Sequence, residues 1–321
     1  MRTPHGPLSR REALVRLGSV GLAAAAVVGA TGAFADRQEP APTGADVPDW
    51  RVKETGQVPR AVAARGADPA SNVRRAVAAL GGIERYVKRG EVVLIKPNVG
   101  WDRLPEQAAN TDPRVVSEIV RQCRGAGAGR VIVADVSCND PARCFARSGI
   151  LAAAEAAGAE VLDGRKLKAV AANLGGSLAG QEVIAQLLQA DRVINVPIVK
   201  HHGMSRATLG MKNWFGVLRR GRDRLHQDLD RCIAELAATF RPTLTIVDAT
   251  RVLVANGPTG GSLSDVRQVG AVAAGVDPVL CDAWGAVQLG LDPRSLGFVV
   301  EAEQRRLGVA DVKLVRELGK A

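Results

Sequence analysis

Aromatic residues are scarce in this chain of 321 residues, where they make up 3% of the total, and methionine occurs only three times. Hydrophobic residues still account for 46%, so the core must be built mainly from aliphatic side chains. Small aliphatic residues together with 35 glycines favour helices packed closely on a parallel β-sheet. The composition therefore predicts an α/β protein.

Acidic residues are fewer than basic ones, and the formal net charge is +10. The basic residues are scattered, and their densest cluster is the segment Arg219–Arg224. With so few aromatic residues, this cluster lacks the stacking platform on which single-stranded nucleic acid binds. We therefore expect either a solvated basic face or a small anionic molecule as the partner, and no nucleic acid.

Long apolar runs and metal-binding cysteine patterns are also missing. Beyond residue 35, no run approaches the ~18 apolar residues that cross a bilayer, so we predict no stable membrane span in the mature chain. The five cysteines have no spacing typical of zinc or iron–sulfur sites. Their odd number leaves at least one thiol unpaired, and a disulfide between Cys138 and Cys144 is one open alternative.

The first 35 residues have the layout of an export signal. A basic start contains Ser9-Arg10-Arg11, a mildly apolar stretch runs from Leu17 to Gly32, and Ala33-Phe34-Ala35 is a small-x-small cleavage site. The segment resembles a twin-arginine signal, which implies the twin-arginine translocation machinery as partner and export in the folded state. We expect a periplasmic or extracellular location; an ordinary secretory signal or a basic tail is the alternative.

Residues 36–60 are polar and proline-rich and are predicted to form a linker, followed by a single α/β domain over 61–321. Apolar runs there alternate with helical patterns, which predicts a mainly parallel sheet with crossover helices on both faces. The predicted strands are Ala61–Ala64, Glu91–Lys96, Arg130–Asp135, Arg192–Val199, Thr243–Asp248, Val269–Ala274 and Val312–Val315. The predicted helices are 68–80, 111–124, 149–157, 182–189, 228–239, 277–290 and 294–307.

Polar side chains follow several of these predicted strands, at the sheet edge where α/β proteins bind ligands. The candidate catalytic residues are Lys96, His202 and Lys212. The candidate substrate-binding residues are Asn98, Thr111, Asp135, Lys200, Thr208, Asn213 and Asp248. An imidazole near lysines suits a general base, and buried amines suit an anion. The alternatives are a loop histidine, a surface lysine, and turn caps for Asp135 and Asp248.

The chain resembles the family called domain of unknown function 362 over about residues 60–310. The resemblance rests on the segments LIKPN, NTDPRVV, VIVAD, INVPIVKHHGMSRATLGMKNWFG and DPVLCDAWGAVQLGL. Its central motif is an apolar strand followed by Lys-x-His, then Thr and Lys-Asn-x-x-Gly. The family implies no settled reaction.

The order of strand, histidine, small residues and lysine is also similar to the motif of lactate racemases that carry a nickel-pincer nucleotide. This resemblance implies His202 as proton acceptor, Lys212 as the residue bonded to the cofactor and His226 as a nickel ligand. With His201 next to His202, the candidate metal ligands are His201 and His226. The cofactor is therefore expected to be a nickel-pincer-type nucleotide or a metal ion.

These features favour an exported enzyme that carries out proton or hydride chemistry on a small carboxylate. The first alternative is a periplasmic carrier or maturation protein for a metal or cofactor, which would use the histidines. The second alternative is an iron–sulfur redox protein, for which the usual cysteine spacing is absent.

Overall fold

The fold is described for residues 44–53, 58–219 and 221–319 of a computed structural model. The predicted export signal at residues 1–35 lies outside these residues. The compact unit begins at Gly44. Within the described part of the chain, no helix has the length and apolar character needed to span a bilayer.

Strands and helices alternate along the chain, largely as predicted. The strands are β1 Ala61–Arg65, β2 Val92–Pro97, β3 Arg130–Asp135, β4 Glu160–Asp163, β5 Ala169–Ala171, β6 Glu182–Ile184, β7 Arg192–Val196, β8 Ile198–His202, β9 Arg206–Thr208, β10 Leu244–Leu253, β11 Val266–Gly275 and β12 Val315–Leu318. The helices are α1 Pro69–Ala79, α2 Pro113–Gly125, α3 Pro141–Arg147, α4 Ile150–Ala156, α5 Ala185–Leu188, α6 Gly210–Asn213, α7 Leu229–Thr239, α8 Pro278–Gln288 and α9 Gly297–Gln304.

A ten-stranded sheet forms the centre, in the order β12-β1-β11-β10-β7-β2-β3-β4, with β8 and β9 branching from β10. Strands β10, β7, β2, β3 and β4 are mutually parallel, and β12 is parallel to β1. Strand β11 runs antiparallel to both of its neighbours, which the sequence did not predict. Residues 254–265 join β10 to β11 without an α-helix, and so short a connection favours a hairpin over a parallel crossover. The predicted α/β fold with a largely parallel sheet is confirmed.

The two faces of the sheet carry separate hydrophobic clusters. In β1, Ala61 and Ala63 belong to one cluster and Val62 and Ala64 to the other, because successive side chains of a strand point to opposite faces. Helices α1 to α4 pack on the face of Val62, and helices α7 to α9 pack on the face of Ala61. The predicted helices on both faces are therefore present.

Aspartate–proline pairs start three helices where the sequence predicted them. Asp68, Asp112 and Asp277 each accept hydrogen bonds from backbone N–H groups in the first turn, and proline follows each of them. These side-chain caps satisfy donors that the helix itself leaves unpaired.

Three predicted elements are wrong in detail. The strand predicted over Val312–Val315 is a 3₁₀ turn over Val312–Leu314, and β12 begins only at Val315. The helix predicted over 182–189 is strand β6, paired antiparallel with β5, followed by the single turn α5. The strand predicted over Arg192–Val199 divides at Pro197 into β7 and β8. Proline has no N–H for the ladder, and β8 turns to pair with β10 and β9.

Part of the predicted linker packs against the domain. The Trp50 side chain is 1% exposed, and its indole N–H donates to the Ala190 carbonyl at 3.0 Å. The Thr243 hydroxyl donates to the Trp50 carbonyl at 2.8 Å. Residues 44–53 therefore contribute to the core instead of standing away from it.

Candidate active site

A cavity of about 530 Å³ lies where the parallel strands β2 and β3 end and where β8, β9 and α6 follow β7. Most of the predicted site residues line this cavity: Lys96, Asn98, Asp135, Lys200, His202, Thr208, Lys212, Asn213 and His226. The carboxyl edge of a parallel sheet is the usual ligand site of α/β proteins. Residues that no functional prediction had included also line it, among them Cys138, Met204, Phe215, Gly216 and Pro258.

Three predicted site residues lie elsewhere. The Thr111 hydroxyl donates to the Val196 carbonyl at 2.8 Å, so it ties α2 to the sheet. His201 accepts a hydrogen bond from the Gly257 N–H at 3.1 Å and is not part of the cavity lining. This placement follows from the alternation of side chains along β8.

Asp248 is also away from the cavity, because β10 continues to Leu253 and places this residue in the middle of the strand. Its carboxylate accepts hydrogen bonds from the N–H groups of Asp112 at 2.7 Å and Thr250 at 2.8 Å. Burial, assisted by the negative charge of Asp112, raises the pKa of Asp248 to about 6. Thr111 and Asp248 therefore do not line the cavity with the other predicted substrate-binding residues, and their described hydrogen bonds are to the protein itself.

Lys96 is held by three protein acceptors. Its Nζ lies 2.9 Å from Asp135 Oδ1, 2.9 Å from Asn213 Oδ1 and 2.9 Å from the Pro97 carbonyl. Burial lowers the pKa of Lys96, and the negative charge of Asp135 acts in the opposite direction. An ammonium has three donors, and all three are used here. Lys96 therefore holds neighbouring residues in position and has no donor left for a ligand.

Gly216 allows the ion pair of Lys96 and Asp135 to form beneath the cavity. A Cβ atom at this position would collide with both Asp135 Oδ1 and Lys96 Nζ. Glycine is therefore required at position 216, since no side chain fits there.

The neighbouring Trp214 is buried against Phe240, with ring centroids 5.4 Å apart, and belongs to the core.

A chain of amides links Lys96 to Lys200. Asn98 Nδ2 donates to Asn213 Oδ1 at 3.0 Å, and Lys200 Nζ donates to Asn98 Oδ1 at 2.9 Å and to the Ala109 carbonyl at 2.6 Å. Burial lowers the pKa of Lys200 to about 7, with the nearby charges of Lys212 and Lys96 adding to the effect. One of the three donors of Lys200 has no protein partner within the described residues.

Lys212 has no protein acceptor within the part of the chain that the structure describes. Its side chain is 6% exposed, and its Nζ lies 4.5 Å from the centre of the Phe215 ring. Burial lowers the pKa of Lys212 to about 8. The Thr208 hydroxyl, on a side chain 4% exposed, also finds no hydrogen-bond partner among the described residues. A buried amine and a buried hydroxyl without partners are normally explained by a missing ligand or water.

Asp282, which functional reasoning from the sequence missed, supports the turn that carries Lys212. Its carboxylate accepts hydrogen bonds from the Gly210 N–H at 2.7 Å and the Met211 N–H at 3.0 Å. A Cβ on Gly210 would lie 2.7 Å from Asp282 Oδ1, so glycine gives the carboxylate access. Burial raises the pKa of Asp282 to about 7. The available signal was a carboxylate within the apolar sequence of α8.

The two histidines of the cavity use their Nδ1 atoms differently, one as an acceptor and the other as a donor. His202 Nδ1 accepts from the N–H groups of Met204 at 3.2 Å and Ser205 at 3.3 Å, so its proton is on Nε2. Burial, together with the charges of Lys212 and Lys200, lowers the pKa of His202 to about 3 and keeps the ring neutral. His226 Nδ1 lies 3.0 Å from the Arg222 carbonyl and donates to it, so the Nε2 atom of the neutral ring carries the lone pair.

A family model described as Domain of unknown function (DUF362) matches residues 93–287, which include all of the cavity residues named above. The chain belongs to this family. Among its relatives is the Thylakoid-associated protein sll1697 of Synechocystis sp. (strain ATCC 27184 / PCC 6803 / Kazusa). The two are 29% identical over 250 residues, which cover 74% of this chain and 75% of the relative.

The described residues of this DUF362 domain do not bring the candidate metal ligands together. Within the described residues, no group of three or more histidine, cysteine or acidic side chains is arranged to hold a metal ion. His201 and His226 do not face a common space, since only His226 lines the cavity. The five cysteines are free, and Cys138 and Cys144 are not bonded to each other. The arrangement gives no support to the iron–sulfur alternative.

Proposed function

We propose that the cavity binds a small carboxylate and that the protein moves hydrogen at the carbon next to it. The observation that carries this proposal is Lys212, whose side chain is 6% exposed and has no acceptor among the described residues. It lies in the same cavity as the buried, unpartnered Thr208 hydroxyl. A buried charge is normally paired, so the missing partner of Lys212 is best supplied by an anion from outside.

The charges of the cavity lining support an anionic ligand. Lys96, Lys200, Lys212 and Arg222 supply basic side chains, and Asp135 is the one carboxylate among the described residues that line the cavity. Because Asp135 is taken by Lys96, the remaining cations have no counter-charge in the lining. In a cavity with low-dielectric walls, such an excess concentrates anions.

The proton positions on the imidazoles suggest roles different from those predicted. We propose that His226 Nε2 is the general base, because its lone pair is free. His202 would instead donate its Nε2 proton to an oxygen of the ligand, as a neutral imidazole does when it stabilises developing negative charge. Lys96, with all donors used inside the protein, is a positioning residue.

The cavity is larger than a small carboxylate needs and lies in the size range of sites for drug-sized molecules. The residues present fit a nickel-pincer-type nucleotide, since the described part of the chain gives neither the Lys212 amine nor His226 Nε2 a hydrogen-bond partner. A bare metal ion fits less well, because the described residues provide no group of three donors. When bound, such a nucleotide would supply a hydride acceptor for the substrate carbon.

The binding step is tested by calorimetry of the purified chain with small 2-hydroxy carboxylates and with inorganic phosphate. We expect carboxylate binding that is lost in Lys212→Met and kept in Lys166→Met, a control whose side chain is 82% exposed. Failure of the unmodified protein to bind any carboxylate, or full binding by Lys212→Met, would contradict the proposal.

The chemical step is tested by following the configuration of single-enantiomer 2-hydroxy acids in deuterated water. Loss of configuration with deuterium incorporation indicates proton transfer through His226, and loss without incorporation indicates internal hydride return. His226→Gln should abolish the proton route, whereas His202→Gln, which keeps a donor, should retain part of it. If the configuration of every acid tested stays unchanged, the proposed proton or hydride transfer is contradicted.

A carrier of an anionic cofactor is the second candidate, favoured by the volume of the cavity. It predicts that protein from the native host carries a bound molecule but does not change the carboxylate. Intact mass and metal content distinguish the cases: a covalent adduct lost in Lys212→Ala indicates a resident cofactor, and a labile molecule indicates a carrier.

We further propose that the chain is exported by the twin-arginine machinery to the periplasm or the exterior. The paired Arg10 and Arg11 and the cleavage site at 33–35 support this proposal. Replacing both arginines with lysine should leave unprocessed protein in the cytoplasm, which cell fractionation would detect. Processing at an unchanged rate would contradict it.

A further inference from the structure

Cys138 is the cysteine that reaches the cavity. Its side chain is exposed and lines the cavity, whereas Cys123, Cys144, Cys232 and Cys281 are buried. The backbone around it is held in place, since the Cys138 N–H donates to the Gly100 carbonyl at 2.9 Å and Arg165 donates to the Cys138 carbonyl at 2.6 Å. The sulfur is therefore presented to the cavity from an anchored loop.

We propose that Cys138 is a modification site, at which small disulfides carrying carboxylate groups form a mixed disulfide with the protein. This inference rests on the carboxylate binding at Lys212 that is part of the proposed function, but it does not depend on the reaction proposed there.

A second observation, independent of the cysteine, points to the anionic character of the molecule. Lys212 is more than nine-tenths buried in the same cavity without an acceptor among the described residues, and the buried Thr208 hydroxyl is likewise unpartnered. A carboxylate bound to these groups would lie in the same cavity as the sulfur. Recognition of the carboxylate would thus raise the local concentration of the disulfide at Cys138.

The electrostatic coupling in the cavity agrees with this placement. Burial lowers the pKa of Lys212 to about 8, and the negative charge of a Cys138 thiolate is the main influence that acts against burial. The same two opposing influences act on Lys200, whose pKa burial lowers to about 7. The amines of Lys212 and Lys200 therefore lie within electrostatic range of the Cys138 sulfur.

The exchange reaction is balanced without any further oxidant. The Cys138 thiolate attacks one sulfur of the disulfide, a new S–S bond forms to the protein, and the second half leaves as a thiolate. The proton lost from Cys138 goes to solvent or to the leaving thiolate. The attached half carries its carboxylate towards Lys212 and fills space that a free anion would need.

The test uses two reagents, the dianionic disulfide dithiobis(nitrobenzoate) and the uncharged dithiodipyridine, on the native full chain. We expect one thiol to react, and peptide mapping should place the label on Cys138. Lys212→Met should slow the anionic reagent by about fivefold and leave the uncharged reagent within about twofold, because one nearby positive charge is lost. The control Lys166→Met should change neither rate.

Several results would overturn the inference. They are a lack of reaction of native Cys138 with the anionic reagent, labelling of a different cysteine, or equal slowing of both reagents in Lys212→Met. Cys138→Ser should remove the fast reaction altogether, which confirms the assignment by a variant that keeps the cavity charges. By contrast, a failure of the protein to change the configuration of any 2-hydroxy acid would contradict only the proposed reaction. It would not affect the rates of disulfide exchange.

Discussion

Replacing Lys212 with methionine should make the protein more stable at neutral pH while it removes anion binding. The Lys212 amine is buried without a carboxylate or other acceptor among the described residues, and its pKa falls from the ordinary 10.5 to about 8. That difference corresponds to about 3 kcal/mol of unfavourable free energy for the charged form. Methionine is similar in length and fills the same space, but it loses the contact of the cation with Phe215, worth about 1 kcal/mol. We therefore expect a net gain of about 2 kcal/mol in the free energy of unfolding at pH 7.

The pH dependence distinguishes this origin of the gain from better apolar packing. Below pH 8 the amine is protonated in both the folded and the unfolded state, so the folded protein carries the full penalty. Between pH 8 and 10.5 the unfolded chain binds the proton and the folded chain does not, so the stability of the unmodified protein rises with pH. The advantage of Lys212→Met should therefore be greatest at pH 7 and should disappear as the pH approaches 10.5.

Urea unfolding at pH 7 and at pH 9.5, with Lys166→Met as the control for a lost surface charge, measures the effect. The control should show little change, because exposed charges contribute little to stability. A destabilised Lys212→Met protein at pH 7 would mean that the amine has a structural partner. A gain that is the same at both pH values would mean that packing, not the buried charge, causes it. Either result would refute the reasoning.

Three further predictions concern the same cavity. Binding of an anion should raise the pKa of Lys212, so calorimetry at pH 8 in buffers of different ionisation enthalpy should detect the uptake of up to about 0.5 proton. The affinity for the anion should fall as the pH rises above 8. Asp135→Asn should lower the free energy of unfolding by about 3–5 kcal/mol, because Lys96 loses its buried counter-charge, and Lys96→Met in the same chain should recover part of the loss. Asp282→Ala should lower the free energy of unfolding by about 1–3 kcal/mol and weaken anion binding, because the turn that carries Lys212 loses its hydrogen bonds to the carboxylate. The control Asp292→Ala removes an exposed helix cap elsewhere, so it should lower stability without changing the affinity for the anion.

Local sequence patterns were sufficient to predict most of the elements. Aspartate followed by proline marks the start of a helix through forces that act within one turn, and Asp68, Asp112 and Asp277 all act in this way. The meeting of Lys96, Asp135 and Lys200 at one edge followed from the rule for parallel sheets. Both inferences depend only on the order of residues along short segments.

The errors come from interactions between distant segments. Asp248 was expected at a strand end, but β10 extends to Leu253 because it pairs with β11, which no local pattern of β10 reveals. Asp282 supports residues about seventy positions earlier, and a single sequence carries no mark of that contact. Two backbone N–H groups of the following turn determine which ring nitrogen of His202 carries the proton. The order of residue types along the chain does not indicate such hydrogen bonds.

Lys96 and Lys212 show why residue type alone does not identify a ligand contact. Both are buried lysines of one cavity, and burial lowers the pKa of both. For Lys96 the protein supplies a carboxylate, an amide oxygen and a backbone carbonyl, so the amine forms part of the floor of the site. For Lys212 the described residues supply only an aromatic ring, and the charge remains available to an incoming anion. A buried polar group without a partner lowers the stability of the free protein. A ligand that pairs with this group removes that cost, so the contact contributes strongly to the free energy of binding. The difference between the two lysines, and not their shared chemistry, is the reason we propose Lys212 as the residue that contacts the ligand.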